Sequence, residues 1–125
     1  MKTVLLAAVL LLSSLPVGAH HSMAGFDRKN NLALTGVVKN FSWQNPHCYI
    51  EFDVVDKDGK TVTWNAEMTA PGYLVRAGWK KTLVKTGDKV TIVGNPLLTG
   101  EPGMLFVSVT LPDGTTWSPR GEEKK

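Results

Sequence analysis

The residues on either side of Lys57-Asp58-Gly59 constrain the fold more than any other part of the chain. Residues 47–56 alternate apolar and polar side chains before this segment, and residues 61–68 alternate in the same way after it. A period of two is typical of a β-strand that buries one face. Lysine, aspartate and glycine between two such strands predict a three-residue hairpin loop with Gly59 in the left-handed conformation. We therefore expect an antiparallel hairpin at the centre of the chain.

The three-residue loop also determines which residues of the hairpin face each other. Directly opposed side chains in an antiparallel pair lie on the same face of the sheet. Counting outward from the loop, Phe52 is predicted to face Trp64, and Tyr49 to face Glu67. His47 is then the diagonal neighbour of Glu67 on the outer face, close enough for both to bind one ion.

Glycine and proline positions predict the elements on both sides of the hairpin. Residues 32–43 form a first strand in which Gly36 interrupts the alternation, as a bulge or sharp bend does. A short helix follows the hairpin, with Thr69 as its candidate cap, Pro71 in its first turn and Gly78 at its end.

The order of the elements predicts the fold class. Residues 89–94 and 104–111 are the fourth and fifth strands. Three strands, a helix and two strands predict an all-β protein, an OB-like five-stranded barrel with one short helix between strands 3 and 4. An immunoglobulin-like sandwich is the alternative, but it needs about seven strands. The barrel domain is assigned to residues 32–118, between an N-terminal arm at 20–31 and a charged tail at 119–125.

The first residues carry the pattern of an export signal. Lys2 is followed by an apolar run from Val4 to Leu12, and Val17-Gly18-Ala19 has the small residues of a cleavage site. The apolar run is shorter than the roughly 20 residues that a membrane-spanning helix needs. Residues 1–19 are therefore predicted to be a signal peptide cleaved after Ala19, which gives a periplasmic protein without a membrane span.

Composition and motifs argue against several classes of function. The 14 basic and 11 acidic residues are scattered, so no basic stripe is present to follow a nucleic-acid backbone. Cys48 is the single cysteine, which excludes an internal disulfide. The sequence has no phosphate-binding glycine loop, zinc-type cysteine pair or catalytic serine motif. We expect neither nucleic-acid binding nor enzymatic activity.

Cleavage after Ala19 would create a candidate copper site at the new N-terminus. His20 would offer its α-amine and a ring nitrogen to one ion, and His47 a second imidazole. Such a nitrogen set suits Cu(II), with Glu67 as an axial or outer group. The α-amine has a pKa of about 7.7–8.0, so it loses its proton to a metal more easily than a lysine does. The sequence therefore predicts copper binding by His20, His47 and Glu67.

Two other ligand sets stay open. His21 can bind copper together with the α-amine and the first peptide nitrogen, without help from the fold. Cys48, Trp64 and Met68 form a softer set on the apolar face of the hairpin, which suits Cu(I), although each is also a common core residue.

A binding module without catalytic activity is the alternative function. Exposed aromatic side chains such as Trp43 and Tyr49 would then hold a peptide, a glycan or a membrane-protein partner. A periplasmic or inner-membrane protein is the expected partner.

Four motifs are spread along the chain: Ala19-His-His-Ser22, Leu34-Thr-Gly-Val-Val-Lys39, Trp43-Gln-Asn-Pro-His47 and Thr110-Leu-Pro-Asp-Gly114. Together they resemble a family of small exported bacterial proteins catalogued as a domain of unknown function. The resemblance covers nearly the whole mature chain. It implies a single periplasmic domain and no established activity.

Three segments carry a second resemblance: Thr35-Gly-Val-Val-Lys39, Trp64 with Glu67-Met68-Thr69, and Lys85-Thr-Gly-Asp-Lys-Val90. They are similar to segments of the periplasmic copper chaperone of silver and copper efflux systems, a five-stranded OB-type barrel. In that family a histidine, two methionines and a tryptophan form a Cu(I)/Ag(I) site. The resemblance matches Met68 to one methionine and Trp64, shifted by one residue, to the tryptophan; Ala70 stands in place of the second methionine.

Overall fold

The computed structural model describes residues 23–121 and shows a closed β-barrel of five strands. The strands are β1 (Leu32–Ser42), β2 (Tyr49–Val55), β3 (Thr61–Glu67), β4 (Lys89–Pro96) and β5 (Gly103–Thr110). The helix α1 (Pro71–Arg76) lies between β3 and β4, a 3₁₀ turn (Met23–Gly25) precedes β1, and a short strand β6 (Thr116–Trp117) follows β5. The predicted signal peptide, His20, His21 and the end of the charged tail lie outside the described residues.

The barrel closes because β1 and β5 each connect two parts of the sheet. Residues 32–37 of β1 pair with β4, and residues 37–42 pair with β2. The start of β5 pairs in parallel with residues 65–67 of β3, while its antiparallel partner is β4. The strands therefore form a ring in the order β1-β2-β3-β5-β4, which confirms the predicted OB-like barrel and excludes a sandwich of two separate sheets.

The irregularity in β1 lies later in the strand than the sequence predicted. Burial alternates without interruption through Gly36 and Val38, and the register against β2 shifts between Val38 and Asn40. The bulge is therefore at Lys39, and the prediction that Gly36 breaks the alternation is wrong. Gly36 serves a different purpose, because a Cβ atom there would collide with the backbone oxygen of Asp53 on β2.

The central hairpin has the predicted loop and register. Gly59 has a φ of 78°, in the left-handed region. Three predicted pairs are present: Val55–Thr61, Phe52–Trp64 and Tyr49–Glu67. Pairing continues just before β2, where the N–H of Met68 donates to the carbonyl oxygen of Cys48 at 2.8 Å. His47 precedes Cys48, so this end of the hairpin holds it beside β3.

The helix begins at Pro71 as predicted, but it has a different cap. Its N-cap residue is Ala70, so the prediction that Thr69 caps α1 is wrong. The carbonyl oxygen of Thr69 accepts the N–H of Cys48 at 3.1 Å, which keeps Thr69 paired with the hairpin. Gly78, with a φ of 90°, ends the helix as expected.

The interior of the barrel is apolar and is covered at one end by an aromatic cluster. Fully buried side chains from four strands fill the interior: Val38, Ile50, Phe52, Ile92 and Val109. Trp79, 2 % exposed, follows α1 and packs against Trp117 of β6, with ring centroids 4.7 Å apart. In the described part of the chain, no helix is long and apolar enough to cross a membrane.

Candidate functional site

His47 and Glu67 lie side by side at the end of the hairpin, as the register predicted. Nδ1 of His47 is 3.7 Å from Oε1 of Glu67. The two side chains are 27 % and 24 % exposed, so both are accessible from solvent while resting on the barrel.

The backbone just after β3 fixes the orientation of the His47 ring. Nδ1 of His47 lies 2.9 Å from the carbonyl oxygen of Met68. A carbonyl oxygen only accepts hydrogen bonds, so Nδ1 carries the proton and donates it. The lone pair of the neutral ring is then on Nε2, the nitrogen that can bind a metal. A backbone carbonyl that orients the imidazole in this way is a common outer partner of metal-binding histidines.

The N-terminal arm returns to this histidine. Met23 and Phe26 of the arm line a pocket of about 220 Å³ together with His47, Glu67 and residues 68, 69 and 105. The sequence indicated only a polar, irregular segment at residues 23–31 of the arm and did not predict this contact. The pocket joins the arm, the hairpin and β5 in one concave site.

Backbone hydrogen bonds hold the arm against the end of β4 and the loop that follows. The N–H of Asp27 donates to the carbonyl oxygen of Pro96 at 2.8 Å, and the N–H of Leu98 donates to that of Gly25 at 3.0 Å. Phe26 pairs with Leu97 as an isolated antiparallel bridge. These contacts give the arm a fixed course over residues 25–27.

Asn95 of β4 adds a side-chain anchor for the arm. Its side chain is 8 % exposed, and Nδ2 donates to the carbonyl oxygen of Asn30 and to Oδ1 of Asn31, both at 2.9 Å. Within the arm, Nδ2 of Asn30 donates to Oδ2 of Asp27 at 2.7 Å. This hydrogen bond, helped by the backbone N–H of Lys29, lowers the pKa of Asp27 below its usual value.

The softer predicted set of ligands lies in and against the core. Cys48 is fully buried, Met68 is 3 % exposed, and Trp64 packs against the core while partly buried. Burial raises the pKa of the Cys48 thiol, which keeps its sulfur protonated at neutral pH. A metal would have to enter the packed interior to reach that sulfur, whereas His47 and Glu67 are open to the pocket.

The aromatic residues predicted to be exposed are partly buried. Trp43 packs edge-on against Phe41, with ring centroids 5.9 Å apart. Burial, and after it the negative charge of Glu67, raise the pKa of Tyr49 above its usual value. Tyr73 of α1 is 63 % exposed and was not predicted as a surface aromatic.

The small pocket continues into a larger groove. The groove has a volume of about 660 Å³ and shares Met23, Glu67 and Met68 with the pocket. Its lining also includes Arg28 of the arm and Arg120 after β6, so basic side chains lie in the same groove as Glu67.

Part of the predicted copper set is therefore assembled. Among residues 23–121, no three side chains of histidine, cysteine, aspartate or glutamate are grouped closely enough to hold a metal ion. His47 and Glu67 are together, and any further nitrogen ligands would come from His20 or His21, outside the described residues. From the sequence, Met23 could join the site only if the arm folded back, and nothing in the sequence showed that it did. Phe26 is the site residue that the sequence did not predict; a large apolar residue in a polar arm was the available signal.

Comparison with known proteins identifies the chain at the level of its family. A family of unknown function (DUF6152) matches residues 8–106. No curated protein and no solved structure gives a match. Because the family match covers most of the chain and includes the arm, the hairpin and both His47 and Glu67, the protein belongs to this family of unknown function.

Proposed function

We propose that the protein is a periplasmic copper-binding protein, a carrier or a sequestering protein rather than an enzyme. In this proposal the mature N-terminal His20 and the hairpin residue His47 bind Cu(II), with Glu67 beside them. The observation that carries the proposal is the return of the arm: Met23, three residues after His20, lines the same pocket as His47.

The length of the arm supports this arrangement. An extended chain spans at most about 3.6 Å per residue, so the α-carbon of His20 lies within about 11 Å of that of Met23. The N-terminal amine and the His20 ring are therefore tethered near the pocket. A short tether of this kind raises the local concentration of the second set of ligands and favours chelation.

The chemistry of the pocket suits a divalent ion with a preference for nitrogen. Nε2 of His47 carries the lone pair because Nδ1 donates to the carbonyl of Met68. The carboxylate of Glu67 lies 3.7 Å from Nδ1 of the same ring, so its negative charge favours cation binding by His47. The α-amine and ring of His20 would complete a nitrogen set that Cu(II) favours.

Signal-peptide cleavage is a requirement of the proposal. Before cleavage after Ala19, the nitrogen of His20 is a peptide nitrogen and cannot act as an amine ligand. A preparation in which the His20 amine is blocked by acetylation should therefore bind Cu(II) weakly.

The test is a Cu(II) titration, by competition with a chromophoric chelator, of the chain that begins at His20. Parallel titrations use the same chain with its N-terminal amine acetylated, His47→Ala and His21→Ala. We expect submicromolar Cu(II) binding that is lost in the first two variants and kept in His21→Ala. Equal Cu(II) binding by the starting chain, the acetylated chain and His47→Ala would refute the proposal.

The same titrations separate the proposal from the alternative chelate that uses His21. That chelate needs the amine, the first peptide nitrogen and the His21 ring. It therefore predicts that Cu(II) binding is lost in His21→Ala and unchanged in His47→Ala. Electron paramagnetic resonance of the Cu(II) complex gives an independent count of the bound nitrogens.

A binding module for a peptide, a glycan or a membrane-protein partner is the second candidate function. The groove of about 660 Å³ favours it, because this volume is typical of ligand sites. A copper carrier should lose its protein partner when the ion is chelated. A partner that stays bound in the presence of the chelator would favour the binding module.

A further inference from the structure

We infer that the pocket also binds Cu(I), through Sδ of Met23 and Nε2 of His47. This inference rests on the proposed function, since it concerns the same pocket and metal. The inference makes Met23 a copper ligand, whereas the proposed Cu(II) site does not use Met23.

Met23 is unusually exposed for a methionine. Its side chain is 52 % exposed, while Met68 and Met104 are 3 % and 0 % exposed in the core. Methionine is among the residues most often buried. The side chain of Met23 is therefore accessible to an ion in the pocket, unlike those of the two core methionines.

The backbone holds Met23 at the pocket. The carbonyl oxygen of Met23 accepts the N–H of Phe26 at 3.3 Å, and Phe26 pairs with Leu97. The hydrogen bond between Leu98 and Gly25 anchors the other side of the turn. The thioether is therefore presented by a structured turn.

The chemistry of the two side chains favours Cu(I). A thioether is a soft, uncharged ligand that prefers Cu(I), while imidazole binds copper readily. Phe26 and Leu105 give the pocket apolar walls, and Glu67 places a negative charge 3.7 Å from Nδ1 of His47. A thioether, an imidazole and a carboxylate beside that imidazole suit a singly charged soft ion.

The Cu(I) site differs from the proposed Cu(II) site in its dependence on processing. Met23 and His47 are side-chain ligands, so their binding does not need a free amine at His20. We expect a chain whose N-terminal amine is acetylated to lose Cu(II) binding and to keep Cu(I) binding. His47 belongs to both sites, so His47→Ala should weaken both.

The experiment measures Cu(I) affinity without oxygen, by competition with bicinchoninate, in the chain that begins at His20. Met23→Leu keeps the size and apolar character of the side chain and removes the sulfur. Removing an outer partner of a ligand already weakens metal binding by about 10–100-fold, so we expect loss of a direct ligand to weaken Cu(I) binding by about 100-fold or more. Cu(II) affinity should stay unchanged. Met104→Leu is the matched control, since it removes a sulfur from the core, away from the pocket.

X-ray absorption of the Cu(I) complex provides a second readout. A copper–sulfur distance of about 2.3 Å, the length of a typical metal–sulfur bond, should be present in the starting chain and absent in Met23→Leu. Unchanged Cu(I) affinity in Met23→Leu, or an equal loss in Met104→Leu, would overturn the inference. Failure of the Cu(II) proposal is recognised separately. It would leave Cu(II) affinity unchanged when the N-terminal amine is acetylated, and this result does not depend on the effect of Met23→Leu on Cu(I) affinity.

Discussion

Gly36→Ala should destabilise the barrel, because β1 lies too close to β2 at this position for a side chain. A Cβ atom at residue 36 would be 3.0 Å from Cδ2 of Phe52 and 3.1 Å from the carbonyl carbon of Asp53, and closer still to the oxygen of that carbonyl. The backbone has little freedom to move away, since residue 36 also pairs with Val90 of β4. The added methyl group must therefore strain the pairing on both sides of β1.

The size of the effect follows from two opposing contributions. Overpacking in a well-packed interior costs about 1–3 kcal/mol. Replacing glycine by alanine also restricts the unfolded chain, which stabilises the folded state by about 0.4–1 kcal/mol. Because the collision is with paired backbone, we take the upper part of the first range and expect a net loss of about 2 kcal/mol. For a domain of this size that loss lowers Tm by about 8–16 °C.

Urea unfolding followed by tryptophan fluorescence measures this effect, and Gly25→Ala is the matched control. Gly25 has no atom within 4 Å of its would-be Cβ and has no positive φ, so alanine there should leave stability unchanged or slightly higher. The slope of the free energy of unfolding against urea should be the same in both variants. Equal urea midpoints for Gly36→Ala and Gly25→Ala would show that β2 does not lie close enough to residue 36 to exclude a methyl group.

Three further outcomes are expected. Burial and the charge of Glu67 raise the pKa of Tyr49, so above about pH 10 the native state keeps a proton that the unfolded state loses. The free energy of unfolding should therefore fall as the pH rises above about 10. Urea titrations at increasing pH should show a smaller fall for Tyr49→Phe. Asn95→Ala removes two hydrogen bonds to the arm and should lower the free energy of unfolding by about 1–3 kcal/mol. The N–H of Asp27 should then exchange its hydrogen faster with solvent. An unchanged exchange rate would contradict the anchoring role of Asn95. Cys48 is buried with a raised pKa, so iodoacetamide should modify it slowly in the native protein and rapidly in urea; equal rates in the two conditions would contradict its burial.

The hairpin shows how far the sequence alone can reach. Apolar and polar residues alternate clearly in both strands of the hairpin, which shows which side chains face the core. The three-residue loop then allows only one register between the two strands. That register was sufficient to place His47 beside Glu67, and the 3.7 Å separation of their side chains confirms it. Each long strand carries its own hydrophobic pattern, so the strands could be recognised and placed in order. That order was sufficient to predict the barrel.

The arm shows where such reasoning stops. Its attachment is made by backbone groups, such as the N–H of Asp27 on the carbonyl of Pro96, and these bonds need no particular side chains. The bulge at Lys39 also depends on backbone pairing and has no residue signature. Strand β6 has two residues, too few for alternation to be visible. Thr69 has the side chain of a helix cap, but its pairing with Cys48 prevails over that local preference.

The pocket lies at the seam where the barrel closes. Leu105, one of its walls, is the residue of β5 that pairs directly with Glu67 of β3. Met23, which also lines the pocket, is the first of the described residues. An open or unfolded chain holds these residues far apart, so it cannot form the pocket. Folding must therefore be complete before the pocket can select a ligand, and separating β3 from β5 would release that ligand without any change in the binding side chains.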